Sequence, residues 1–195
     1  ETRRMKAIGR WLLYLLVAGL ALQLYFVGRI ALMRWVDPPS TAFQRSEAWR
    51  LVSTKDTLRW RQEWVPYERI SDHLKRAVLA SEDDEFIDHD GVAWEAIEKA
   101  WQRNSRAEEQ AARRAAQGRA GGRPPKIVGG STITQQLAKN LFLSGERTFL
   151  RKGQEFVFTL ALEALLGKRR ILEIYLNSVE WGEGVFGAEA AARHY

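Results

Sequence analysis

The run Gly129–Leu143, "GGSTITQQLAKNLFL", joins a glycine turn to a helix that carries its own start signal. Thr132 followed three residues later by Gln135 has the capping-box pattern, in which a hydroxyl and an amide satisfy the first free backbone groups of a helix. Ile133, Leu137 and Leu141 then recur along one face. Working outward from this run, the same period dominates. Arg151–Leu166 reads as a helix with Gly167 as its stop. Another begins near Arg170 and carries Ile171, Leu172, Tyr175 and Leu176. "WGEGVFG", Trp181–Gly187, is glycine-punctuated and reads as a turn, after which "AEAAARHY" restarts a helix. Upstream, Leu74, Ala77 and Val78 share a helix face that leads to Glu82, and Trp94, Ile97 and Trp101 form an apolar stripe at i, i+3 and i+7. Strand signals are few. The spacing predicts a mainly α domain.

Residues 106–122 are rich in Ala, Arg, Gln and Gly and hold no large apolar side chain. Gly121–Gly122 and Pro124–Pro125 end any helix there. A mobile connection is therefore expected near 106–128. No internal repeat of useful period is visible.

The N-terminal stretch Trp11–Gly28, "WLLYLLVAGLALQLYFVG", contains no charge, and Gln23 is its only strongly polar side chain. Eighteen helical residues span roughly 27 Å, close to the ~30 Å hydrocarbon core of a bilayer. The span continues through Met33, with Arg29 near enough to the end to snorkel outward, and Trp11 and Trp35 fall where indoles favour the two interfaces. A cleaved signal peptide would be shorter and would end in a small-x-small site, whereas this run continues into Arg29, Met33, Arg34 and Trp35. Arg3, Arg4, Lys6 and Arg10 precede it, so the N-terminus is expected in the cytoplasm and the rest outside. The expected division is a basic N-terminus over 1–10, a transmembrane anchor over 11–35, a short stalk over 36–48 begun by Pro38 and Pro39, and a catalytic domain over 49–195. The start at Glu1 suggests a fragment of a longer chain. Across 195 residues, 30 Lys and Arg against 24 Asp and Glu give a net charge of +6, which suits an anionic membrane surface. The absence of cysteine decides no compartment.

Within this basic chain, "SEDDEFIDHDG" (Ser81–Gly91) crowds Glu82, Asp83, Asp84, Glu85, Asp88 and Asp90 around Phe86 and His89. A calcium loop with Gly91 at its sixth position would put Phe86 first and Ile97 twelfth, where oxygen ligands are required; that reading fails. A solvated turn and a catalytic carboxylate remain. A second carboxylate, Glu155, lies among the cations Lys139, Arg147, Arg151 and Lys152, and a helix start lined by small residues beside cations suits a phosphate. Residue chemistry alone thus points to an anchored enzyme outside the cytoplasm, acting on a phosphorylated substrate.

The same residues fall into ordered blocks. Glu82, Asp83, Phe86, His89 and Gly91 match E-D-x-x-F-x-x-H-x-G; Gly130–Asn140 matches G-S-T-I-T-Q-Q-x-x-K-N; Arg151, Lys152 and Glu155 match R-K-x-x-E; Lys168 with Ile171–Asn177 matches K-x-x-I-L-E-x-Y-L-N; "GEGVFGAEAAARHY" supplies a fifth block. In this order they resemble the peptidoglycan glycosyltransferases that polymerise lipid II, over roughly Trp64–Tyr195. "DPPSTAF" and "ILEIYLNSVEWGEGVFGAEAAARHY" resemble the monofunctional biosynthetic type of Gram-negative bacteria, whose domain continues beyond the position of Tyr195. The resemblance implies a lysozyme-like, two-lobed, mostly helical domain behind a single anchor in the bacterial inner membrane, with the catalytic domain periplasmic. It also implies a reaction that joins the growing glycan on undecaprenyl pyrophosphate to the GlcNAc 4-hydroxyl of lipid II, with inversion to a β-1,4 link.

Carried onto these positions, the resemblance makes Glu82 the general base and Glu155 the second essential acid. It places Lys139, Arg147, Arg151 and Lys152 on the donor's phosphates and puts Ser131, Thr132, Gln135 and Gln136 within reach of sugars or phosphates. For Thr132, helix capping competes with substrate contact. Asp83, Phe86, His89, Gly91, Gly130, Asn140, Glu173 and Asn177 are expected to be structural, and Asp84, Glu85, Asp88 and Asp90 solvent-facing. Trp181, Phe186 and Tyr195 are expected in the core, and Trp49, Trp60 and Trp64 near the bilayer. No required cofactor is implied, with a divalent cation (Mg or Mn) near the pyrophosphate left open. The expected partners are lipid II, the lipid-linked glycan, the bilayer and proteins of wall synthesis or division, with no nucleic acid. The rival readings are a lysozyme-like hydrolase or lytic transglycosylase, and an inactive scaffold of wall assembly.

Overall fold

A computed structural model of the chain describes residues 2–55, 60–117, 129–143 and 148–195. Helix α1 (Thr2–Leu32) holds the apolar run and extends back through the basic N-terminal residues. Its stretch Arg4–Leu32 is long and apolar enough to cross a membrane, with a mean hydropathy of 1.9 in its best window. Most of its side chains are exposed, as a lipid-facing helix requires.

Its last two turns behave differently. Ile30 and Met33 are buried in the main core. Phe26 meets Phe142 and Phe158 edge-on, with ring centroids 5.5 and 5.0 Å apart. The Arg29 guanidinium lies over the Phe142 ring at 5.7 Å. The end of the anchor is therefore a packed element of the domain.

Where a stalk was expected over 36–48, helix α2 (Ala42–Lys55) begins within it. The Thr41 hydroxyl accepts from Gln44 N at 3.0 Å, and the Gln44 side-chain oxygen accepts from Thr41 N at 2.8 Å. Both residues are buried. This second capping box starts the helix and leaves only residues 36–40 as connection. Arg170 fixes that connection from the far side, donating to the Met33 carbonyl and to Asp37, each at 2.7 Å.

The rest is helical with one small sheet. Helices α3 (Asp72–Glu82), α4 (Trp94–Ala116), α5 (Ile133–Phe142), α6 (Phe149–Leu166), α7 (Lys168–Ser178) and α8 (Ala188–His194) follow in order, with a 3-10 turn at Tyr67–Arg69. Strands β1 (Arg61–Gln62), β2 (Glu180–Gly182) and β3 (Val185–Phe186) form a sheet in the order β1-β3-β2, parallel between β1 and β3 and antiparallel between β2 and β3. The expected turn at Trp181–Gly187 is thus a short hairpin.

Helix α5 is the centre of the molecule. Ile133, Leu137, Ala138 and Leu141 are fully buried, and α2, α6 and α7 pack around them. Helix α4 runs on to Ala116, through half of the expected mobile connection. Its Ala, Arg, Gln and Glu residues are strong helix formers and sustain it without a core face. Residues 118–128 lie outside the described residues. Trp94 and Trp101 of its apolar stripe are 69% and 73% exposed, so the stripe faces away from the core.

Candidate active site

Glu82 ends α3, and its neighbour Asp83 caps the helix and turns inward. Asp83 is buried; its carboxylate accepts from Ile133 N at 2.9 Å and from His89 Nε2 at 2.9 Å. The other ring nitrogen, His89 Nδ1, accepts from Gly91 N at 3.0 Å. That pattern requires the Nε2–H tautomer. Thr132 closes the loop by donating to the Gly91 carbonyl at 2.6 Å. Gly91 sits at φ +87°, and a Cβ there would come within 2.7 Å of the Thr159 methyl. Phe86 is buried beneath the turn, with the Lys168 ammonium 4.6 Å from its ring centroid. Asp84, Asp88 and Asp90 point to solvent, and Glu85 is half-buried. The acidic turn is thereby bolted to the start of α5, and Glu82 alone of its inner pair stays exposed.

Thr132 and Gln135, both expected within reach of substrate, form the capping box of α5 and are buried. Their hydroxyl and amide carbonyl are engaged by backbone N–H groups, which leaves capping as the role the geometry gives Thr132. Gln136, one residue on, faces the site. Its amide donates to Glu82 Oε2 at 3.0 Å, while its carbonyl accepts from the Tyr175 hydroxyl at 2.9 Å. Tyr175 was expected on the apolar face of α7 and as part of the fourth sequence block, with no site role. Burial, reinforced by the charges of Glu82 and Asp83, pushes its phenol well above the ordinary value.

A cavity of about 460 Å³ lies along the other side of Gln136, lined by Ser131, Gln136, Lys139, Asn140, Arg151, Lys152 and Glu155, with Phe43, Glu47 and Arg50 of α2 on its far wall. Glu155 is buried, and its two oxygens meet Arg151 at 3.0 Å and the Lys152 ammonium. Lys139 is exposed to this cavity and has no ion pair among the described residues. Arg147 lies outside the described residues.

A second cavity of about 330 Å³ opens on the acidic side, lined by Glu82, Asp83, Asp84, Glu85, Lys99, Arg103 and Gly129–Thr132. Gly130 lets the chain pass close to α4, where a Cβ would lie 3.0 Å from the Ile97 Cα. Ser131 lines both cavities, and the Glu82–Gln136 bond sits at their junction.

With both Glu155 oxygens on cations and no convergence of three His, Cys, Asp or Glu among the described residues, these side chains do not form a cage for a divalent ion. Glu173 and Asn177 line neither cavity. Glu173 accepts from Tyr67 N at 2.9 Å, and Asn177 bonds both backbone groups of Val65, at 2.8 and 2.9 Å. They tie the 64–69 segment to α7. Of the aromatic residues, Phe186 is buried and Trp60 stacks on it at 4.5 Å. Trp64 packs against the core, Trp49 is exposed, and Tyr195 is exposed where a core position was expected.

The profile of the transglycosylase family matches residues 50–195. The chain belongs to that family. The biosynthetic peptidoglycan transglycosylase of Burkholderia thailandensis is 52% identical over 196 residues, covering 98% of this chain and 70% of that protein. The proteins of the same name from Paraburkholderia xenovorans and Azoarcus sp. are 49% and 50% identical, covering 100% and 98% of this chain and 77% and 78% of theirs. The transglycosylase domain fits the lysozyme-like helical fold that the sequence blocks implied. Every residue that forms the two cavities, except Phe43, Ser46 and Glu47 at the edge of α2, lies inside the matched span.

Proposed function

We propose that this peptidoglycan glycosyltransferase polymerises lipid II, with Glu82 as the base on the acceptor's GlcNAc 4-hydroxyl. The reading is carried by one observation: Glu82 stands where an acidic-side cavity meets a cavity lined by cations. The hydroxyl oxygen of the acceptor forms a bond to the anomeric carbon of the donor as its proton passes to Glu82. The bond from that carbon to the pyrophosphate breaks, and its electron pair leaves with undecaprenyl pyrophosphate. A positioned base contributes roughly 10²–10⁴-fold to such a step. Lys139, Lys152, Arg151 and, by resemblance, Arg147 receive the growing negative charge, the kind of preorganised electrostatics that lowers barriers most. Glu155 holds Arg151 and Lys152 in place, so its role is orientation of cations.

The anchor is part of this reading. Phe26 lies two residues inside the apolar run and meets Phe142 of α5 and Phe158 of α6 edge-on. Leu150, Val157 and Leu160 of the same helix α6 are exposed. This side of the domain therefore sits at the depth of the outer lipid surface, where a polyprenyl tail can stay in the bilayer while its phosphates reach the cavity. The basic N-terminal residues favour a cytoplasmic N-terminus and a periplasmic active site.

Gel analysis of glycan from labelled lipid II tests the assignment. The wild type forms polymer, and Glu82→Gln forms none while keeping its fold and its binding of lipid II. Full polymerisation by Glu82→Gln removes Glu82 from the chemistry. Release of soluble fragments from finished wall, without polymer, replaces the reading with a lytic one.

A further inference from the structure

We propose that Tyr175 is a positioning residue for the reaction, holding the Gln136 amide so that its N–H points at the Glu82 carboxylate. The inference rests on Glu82 being the base. Its geometry is a two-bond chain from α7 through α5 to the end of α3: Tyr175 hydroxyl to Gln136 Oε1 at 2.9 Å, then Gln136 Nε2 to Glu82 Oε2 at 3.0 Å.

The chain has a direction. An ionised carboxylate only accepts hydrogen bonds, so Glu82 requires the nitrogen end of the amide. A Gln136 turned end for end would set its carbonyl oxygen against that charge. Tyr175 opposes the turn from the other side, because its hydroxyl donates to the carbonyl. The phenol is held on a rigid helix with its ring almost fully buried, and its raised pKa keeps it protonated, hence a donor, through the neutral range. Gln136 is half-buried, and its amide has one further, longer bond, 3.5 Å to the Ser131 carbonyl. Without Tyr175 nothing among the described residues fixes the oxygen end of that amide.

Glu82 is exposed, and an exposed side chain otherwise samples several rotamers. A directed N–H restricts it to the junction of the two cavities. The other charged or titratable groups facing it are Asp83, Asp84 and Glu85 of its own turn, Lys99 and Arg103 of α4, and Lys139 of α5 in the adjoining cavity. All of these remain in place when Tyr175 loses only its hydroxyl.

The test compares Tyr175→Phe, Gln136→Ala and the double variant in the full anchored chain, using lipid II polymerisation rates across substrate concentration. Tyr175→Phe keeps the ring packing. It is expected to lower kcat roughly tenfold and to leave KM near the wild-type value, a split that a general loss of fold would not give. The double variant is expected to be no worse than Gln136→Ala, because Tyr175 acts only through Gln136. A wild-type kcat in Tyr175→Phe overturns the inference, as does a loss that multiplies with that of Gln136→Ala. Should Tyr175→Phe fail to fold, Gln136→Met carries the test: it keeps the side-chain length, lacks the N–H, and is expected to show the same loss of kcat at unchanged KM, whose absence is equally fatal. Glu82→Gln, run alongside, separates the two readings. If it is inactive while Tyr175→Phe behaves as wild type, only the positioning role falls; if it is active, both fall.

Discussion

Ile30→Ala measures whether the anchor is a tether or a part of the core. Ile30 is 0% exposed, whereas Leu24, six residues earlier on the same helix, is 72% exposed and faces lipid. Truncating a buried isoleucine to alanine typically costs about 2–5 kcal/mol, the sum of lost transfer energy and the cavity left behind. Near a bilayer the transfer part shrinks, because an unfolded domain still leaves Ile30 close to apolar lipid or detergent, and this favours the lower end of that range. For a chain of this size each kcal/mol shifts the melting temperature by about 2–4 °C. Ile30→Ala is therefore expected to melt some 4–8 °C below the wild type in detergent, and Leu24→Ala within experimental error of it. Thermal unfolding followed by near-ultraviolet circular dichroism reads the tertiary packing directly. If Ile30→Ala and Leu24→Ala melt together at the wild-type temperature, the helix end contributes nothing to the fold and the membrane-depth argument loses its basis.

Gly91→Ala forces an L side chain into a left-handed conformation, at about 1–2 kcal/mol, and drives a methyl into Thr159 and Glu163; a fall of several degrees in melting temperature is expected, and an unchanged melt would refute the tight approach. Asp83→Asn leaves the Ile133 N–H and the His89 ring competing for one oxygen. It should cost about 1–3 kcal/mol and depress polymerisation by displacing Glu82, visible as parallel losses in a denaturant titration and a lipid II assay. Lys139→Ala removes an exposed cation with no partner among the described residues, so stability should hold while kcat/KM falls at least tenfold; unchanged kinetics would take Lys139 off the phosphates.

Much of the frame was legible because its signals are local. The capping box at Thr132 and Gln135, the stop at Gly167 and the uncharged N-terminal run each occupy a few neighbouring residues, and the structure has helix α5, the end of α6 and helix α1 there. The Thr41–Gln44 pair carries the same local pattern as Thr132–Gln135, and the two prolines just before it drew attention to the break instead. Other features have no local signature. An apolar helix turn looks the same whether lipid or protein covers it, so the burial of Ile30 and Met33 could not be separated from the membrane span. The strands are two or three residues long, too short to show alternation. The exposure of Trp94 and Trp101 reverses the usual meaning of an apolar stripe. In the candidate site, Glu82, the cations and Tyr175 all fall in sequence blocks, but no block shows that Tyr175 meets Gln136 across 39 positions.

Helix α5 organises the candidate site. Gln136 and Lys139 are three residues apart and so share a face, one reaching the Glu82 carboxylate and the other the cation-lined cavity. The rigid rise between them sets the spacing of the proposed base and the proposed phosphate-directed charge. What sets the helix itself is its first turn, where Asp83 takes the Ile133 N–H and Thr132 holds the Gly91 carbonyl. Those bonds join the element that carries Glu82 to the element that carries Lys139. A displacement at the cap would move the base relative to the donor cavity, and misplacement of about 1 Å is enough to cost on the order of 100-fold in rate. Loss of Asp83, His89, Gly91 or Thr132, which hold this junction together, should therefore resemble loss of the proposed catalytic groups.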